Sequence, residues 1–254
     1  MITRPWGDKV PNVLVDPWTL LGKDARIIPL FNPIISSAQV TTVSGGVPSV
    51  AENIFAALMI LAEEGSEPVK IVINSPGGSL QAGFTILQAI EHLKASGIEV
   101  WTVNMCNAMS MAGIVLAMGT KGRRYALNNT TTHVHEVQVS GLGGRGTDVQ
   151  EAHEHLQYQR EVVEKLLAEN TNIPEYDLSI EYSDSPEILA ASKIQLSDPK
   201  FRQKRVREFA KNERLLSVDK AKEAGMIDVV LMPGDEIIKE IFRRSLRPKK
   251  EKQP

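Results

Sequence analysis

Several things are scarce in this sequence, and each scarcity excludes something. Of its 254 residues one is cysteine, Cys106. That rules out an intrachain disulfide and a cysteine-built metal site, and fits a reducing compartment. The longest apolar run, Ile54 to Ala62, is far short of the roughly 20 residues a membrane-spanning helix needs. The opening Met1-Ile-Thr-Arg-Pro-Trp6 has no apolar signal core. The formal net charge is only -2, so no broad attraction to nucleic acid or an anionic membrane is implied. The basic Arg247-to-Lys252 end reads as a solvated tail. A phosphate-cradling Walker loop is missing too, because Gly146 is followed by Thr147-Asp148 rather than Lys-Ser/Thr. Any ATP dependence would then belong to a partner. The expectation is a globular, cytoplasmic protein without cofactor or metal.

What is there is an alternation of strands and helices. Residues 1–24 hold Pro5, Pro11 and Pro17 and read as an irregular arm. Arg26–Leu30 reads as a strand and Ser49–Glu64 as a helix, with Ser49-Val-Ala-Glu52 as a capping box and Gly65 as a left-handed stop. Two strand–turn–helix units follow. Lys70–Asn74 is closed by Ser75-Pro-Gly-Gly-Ser79 and leads into an amphipathic helix over Leu80–Lys94. Val100–Asn104 then leads through Cys106–Ser110 into a small-residue helix ending near Gly119. Thr130–Val139 is a further strand. This pattern predicts right-handed crossovers and an α/β layered domain over residues 25–232. After the glycine-rich Ser140–Gly146 comes a second capping box, Thr147-Asp-Val-Gln150, opening a helix of about 22 residues. Its stripe of Val149, Ala152, Leu156, Val163, Leu166 and Leu167 predicts a helix projecting from the body and seeking a partner surface. Residues 172–212 are polar and rich in charge, an insertion by composition. Ser217–Ala224 with Gly225 reads as a short capped helix, Met226–Leu231 as a strand, and residues 233–254 as a C-terminal helix, Asp235–Arg244, with a basic tail.

In α/β sheets chemistry gathers at the carboxyl ends of strands, and three segments fall there. Pro76-Gly77-Gly78 can bring bare N–H groups close to a ligand, or be only a turn. Ser110, between a strand and Met111-Ala-Gly113, is either a plain N-cap or a hydroxyl poised at the positive end of a helix. His133 and His135 share one face of a strand. A catalytic base, a His-x-His metal pair and ordinary polar strand residues all fit them. The other three histidines, His92, His153 and His155, read as solvated helix residues.

Taken together and in this order, the segments resemble the ClpP-like serine peptidases. Ile73–Ser79 resembles the strand and turn of that family's oxyanion hole, and Ala108–Ala112 the surroundings of its nucleophile. Gly122–Leu127 leading to Val134-His135 resembles the stretch with its histidine. Gly143–Asp148 and the long helix resemble its ring-stacking handle, and Leu215–Ser217 through Ala224–Asp228 its C-terminal segment. The resemblance covers residues 20–170 and 206–232. It implies a ClpP/crotonase-like fold of repeated ββα units with a projecting handle helix. It implies Ser110 as nucleophile, His135 as general base, and the Gly78 and Met111 N–H groups as oxyanion hole. It further implies stacked homo-oligomeric rings, polypeptide substrates and an AAA+ unfoldase ATPase as possible partner.

The sequence departs from the family at several of these positions. Met109 stands beside the nucleophile where a small residue is usual, Glu136-Val137 replaces Gln-Pro, and His133 replaces an apolar residue. The usual aspartate of the triad is Glu213, with Asp184 and Asp198 as substitutes in the insertion. The aromatic edge pocket for the unfoldase's loop becomes Val72 and His92. Four other readings compete: a phage-type prohead maturation peptidase of the same fold, a silent ring subunit, a crotonase-fold acyl-CoA enzyme, and a non-catalytic binding module. The Ser110/His135 pair favours a peptidase over the acyl-CoA enzyme.

Overall fold

A computed structural model describes residues 25–37, 49–138, 145–176, 178–181 and 184–242. The N-terminal arm, most of the glycine-rich loop before the long helix and the basic tail lie outside the described residues.

The centre is a seven-stranded sheet in which β1 (Ile27–Phe31), β4 (Val69–Ser75), β5 (Val100–Met109), β6 (Arg124–Leu127) and β9 (Val229–Leu231) run parallel in that spatial order. Two further strands, β7 (Thr131–Val134) and β8 (Arg214–Ser217), extend from β5, with β7 parallel to β5 and β8 antiparallel to β7. The long β5 makes this split. It pairs with β6 through Thr102–Asn104 and with β7 through Asn107–Met109. Asn104 sits at the changeover, its Nδ2 donating to Thr131 O at 3.0 Å and its Oδ1 accepting from Cys106 N at 3.2 Å. The small pair β2 (Ile34–Ile35) and β3 (Ser49–Val50) forms a separate two-stranded sheet.

The core follows from the period of two along β4. Ile71 and Ile73 face one side, beneath α1 (Ala51–Glu64) and α2 (Leu80–Ala95), whereas Val72 faces the other. On the first side Leu58, Ile86, Ile90 and Leu93 are wholly buried, each worth about 1.5–3 kcal/mol of transfer free energy. On the second side Val72 packs with Ile27, Trp101, Tyr125 and Ile241, the last from the C-terminal helix α9 (Glu236–Phe242). Between β5 and β6, α3 (Met111–Ala117) is buried at every residue.

The second half of the chain adds helices. The 25-residue α4 (Gly146–Asn170) is about 37 Å long. Its first turns are open, with Val149 and Tyr158 exposed, while Val163, Leu167 and Ala168 are buried. What buries them is α7 (Pro199–Lys211), whose Val206, Phe209 and Ala210 join the same core. The polar stretch from 172 is therefore helical: α5 (Leu178–Glu181), α6 (Pro186–Gln195) and α7 precede β8, and α8 (Val218–Glu223) follows it. Among the described residues no helix is long and apolar enough to cross a membrane.

Several local expectations need correction. Helix α1 begins at Ala51 without a side-chain cap, because Ser49 and Val50 are used as a strand against Ile34 and Ile35. Glu52 instead holds Ser37, accepting from its N at 3.0 Å and its Oγ at 3.2 Å. Gly65 ends the helix extended (φ 160), not left-handed, and the Arg26 guanidinium donates to Gly65 O and Glu67 O, both at 3.0 Å. Asp148 closes the start of α4 two residues early, accepting from Arg145 N at 2.9 Å. The strand expected over Thr130–Val139 stops at Val134, and β6 is a strand the periodicity did not reveal. The stop at Gly225 forms as expected, with φ 66.

Candidate active site

Three chain segments converge at the carboxyl ends of β4, β5 and β7. After β4, Ser75 Oγ donates to Asn32 O at 2.6 Å and accepts from Gly77 N at 3.1 Å, turning the chain. Gly77 (φ 87) is then pressed against the next segment: a Cβ there would lie 2.4 Å from Met109 O and 2.9 Å from Met111 N. Gly78 (φ 150) is pressed equally against β2, since its Cβ would lie 2.2 Å from Ile34 O. Neither position tolerates a side chain, which is the physical need behind Pro-Gly-Gly. The flanking groups pair with β2, Ile34 N donating to Gly77 O at 2.8 Å and Ser79 N to Ile34 O at 2.9 Å. That pattern leaves the Gly78 N–H untaken among the described residues.

Ser110 follows β5 directly, at φ 54 and ψ −127. A non-glycine residue there is strained by about 1–3 kcal/mol and persists only where its surroundings enforce it. The enforcing bonds are Ser110 N to His133 O at 2.9 Å, and Gly113 N to Ser110 O at 2.9 Å. The Ser110 side chain makes no capping bond to the helix it precedes, so the hydroxyl is held out rather than used as a cap. The Met111 N–H, first of α3, is likewise untaken among the described residues.

His135 comes one residue after β7. Its Nδ1 lies 2.5 Å from Glu136 O, a contact in which Nδ1 carries the proton and Nε2 is left as the basic nitrogen. The His133 and His135 rings lie 5.2 Å apart. Burial first, and then the neighbouring His135, push His133 below its ordinary value, while Glu213 opposes them. The antiparallel register pairs His133 with Leu215 and Val134 with Arg214, so one more step brings Glu213 opposite His135. Its carboxylate, however, accepts from Gln138 Nε2 at 3.4 Å. Among the described residues no hydrogen bond joins His135 to Ser110 Oγ or to Glu213. Asp198 is spent as the N-cap of α7, accepting from Lys200 N at 3.0 Å. The 13 residues of α7 place it about 20 Å from Glu213, too far to replace it. Asp184 is exposed ahead of α6. No three His, Cys, Asp or Glu side chains form a metal-ligating group among the described residues.

Ser110, Met111, Gly78 and His135 all line one cleft of about 860 Å³. The chain matches the family model described as Clp protease over residues 22–234. The chain belongs to the Clp protease family. In this Clp protease relative the far wall of the cleft is built by α4 and α7, which supply Leu156, Gln159, Val163, Val206 and Ala210. An ion cluster braces that wall. Glu164, almost fully buried, is gripped by Arg207 through two bonds of 2.8 Å. Arg160 stands 3.5 Å from both Glu164 and Glu136. Sequence reasoning missed this ion cluster, because the partners Glu164 and Arg207 are 43 positions apart and no short motif joins them. Leu156, read as part of an outward stripe, faces the cleft. Val72, expected at an unfoldase pocket, is instead wholly buried within the second core cluster, while His92 is exposed.

Proposed function

We propose that this Clp protease relative is a serine endopeptidase that hydrolyses unfolded polypeptide within a ring of its own copies. One observation carries the reading: a serine held at positive φ, its hydroxyl withheld from capping, in one cleft with a histidine and two untaken N–H groups. In the reaction Ser110 Oγ attacks the scissile carbonyl while His135 Nε2 takes the hydroxyl proton. The Gly78 and Met111 N–H groups receive the developing oxyanion. His135 then returns the proton to the departing amine, and water releases the acyl group by the reverse sequence. The Glu136 carbonyl holds the imidazole's tautomer, and Glu213 supplies negative charge beside the histidine pair.

A fluorophosphonate probe tests this. It should label Ser110, located by mass spectrometry, and the Ser110→Ala protein should take no label and cleave no unstructured peptide. Full peptidase activity in Ser110→Ala would overturn the reading. The burial of Val72 favours a second reading in which no unfoldase docks there, as in a prohead-type maturation peptidase of the same fold. A stable complex with an AAA+ unfoldase would count against it.

A further inference from the structure

We propose that Gln159 is a specificity-determining residue of the cleft, selecting a substrate side chain that ends in a neutral carboxamide. This rests on the reading of Ser110 as nucleophile. Leu156, Gln159, Arg160 and Val163 lie at helical spacing on one face of α4, and all four line the cleft that holds Ser110. Gln159 is 8 % exposed. Among the described residues its carboxamide makes no hydrogen bond, yet its polar atoms are not sealed off, so they face the cleft. Such a group needs a polar partner once a substrate displaces water from the cleft.

The neighbours decide what that something is. Met111, Ile114, Val206 and Ala210 make the surrounding surface apolar, which suits a side chain with an aliphatic stem. The charged residues of the wall pair with one another: Arg207 with Glu164 at 2.8 Å, and Arg160, whose buried Nε makes no hydrogen bond among the described residues, between Glu164 and Glu136 at 3.5 Å. Two positive and two negative groups cancel, so a charged substrate head would be desolvated without a free counter-ion. A purely apolar head would leave the Gln159 amide unpaired. A carboxamide offers the matching set, an oxygen acceptor and N–H donors facing an oxygen acceptor and N–H donors.

The test uses the full chain and peptides that differ only in the residue before the scissile bond: glutamine, methionine, glutamate or lysine. The wild-type protein should prefer glutamine over the near-isosteric methionine by about 10- to 100-fold in kcat/KM, the scale of leaving one polar group unpaired in the complex. Gln159→Met, which conserves volume, should abolish or reverse that preference, and Gln159→Glu should move it towards lysine. The same peptides bound to the uncleaving Ser110→Ala protein, followed by fluorescence anisotropy, should show the same order of affinity. Cleavage with no distinction between glutamine and methionine, or a distinction that survives Gln159→Met, overturns the role of Gln159 and leaves the peptidase reading standing. Discrimination in binding that Gln159→Met removes, with no cleavage by the wild type, supports the role of Gln159 and overturns the peptidase reading.

Discussion

Ser110 sits in a backbone conformation that a cap would not need, and His135 presents one nitrogen because the other is occupied by Glu136 O. Residues that act on one bond act as a unit, so Ser110→Ala and His135→Ala should each abolish peptide hydrolysis. The double variant should be little worse than either single one. Gel filtration of all three variants should match the wild type, because neither side chain belongs to the core. Glu213 is expected to matter less than a buried triad acid. Replacing such an acid by its amide costs about 10⁴-fold in another serine protease. Here the carboxylate is exposed and bonded to Gln138, and the tautomer is fixed by a peptide oxygen. Glu213→Gln should therefore lower kcat/KM on the order of tenfold, the scale of a lost charge interaction near the surface. A loss approaching 10⁴-fold would show that its carboxylate closes on His135 during turnover. His133→Ala should keep measurable activity, since His133 does not line the cleft with Ser110.

Elements are tied together at Arg124 and Asp228. The Arg124 guanidinium meets the carboxylate at 2.5 and 2.8 Å and also donates to Asn170 O at 2.8 Å and Ala117 O at 3.2 Å. One buried cation thus links β6, the ends of α3 and α4, and the turn before β9. Burial works to raise the Asp228 carboxyl, but the Arg124 hydrogen bonds and charge, with the N–H groups of Arg124 and Gly122, outweigh it and hold it below the ordinary range. A depressed carboxyl stabilises the fold above its unfolded value, and that stability is lost as pH falls through the folded value. The wild type should therefore lose stability in acid below about pH 4, whereas Asp228→Asn should show less of this acid dependence. At neutral pH Asp228→Asn should cost about 3 kcal/mol in urea unfolding, the lower end for breaking a buried pair.

At the scale of the molecule, α4 leaves Val149 and Tyr158 exposed while its far half is locked under α7. The exposed turns need a partner surface, and a second copy of this chain is the partner proposed. Analytical ultracentrifugation should show species well above 28.0 kDa at micromolar concentration. Val149→Glu combined with Tyr158→Glu should shift them towards that mass. A wild type that sediments only near 28.0 kDa would overturn ring assembly.

Local chemistry determined much of this protein before any folding was known. The β-branched runs, the Pro-Gly-Gly turn, the small residues after Ser110 and the Gly225 stop each impose a conformation on their own neighbours. So the elements around the cleft were legible locally, whereas the roles proposed for Gly78, Ser110, Met111 and His135 rest on the resemblance to the ClpP-like peptidases and not on spacing. Short-range competition hid the rest of the local detail: Ser49 and Val50 pair as a strand instead of capping α1, and β6 is too short for its period to show. Tertiary structure alone decided that α7 folds back on α4, that Glu164 and Arg207 meet across 43 residues, and that Gln159 is turned into the cleft. Those outcomes depend on which faces bury each other, a property of packing between distant segments that no local pattern encodes.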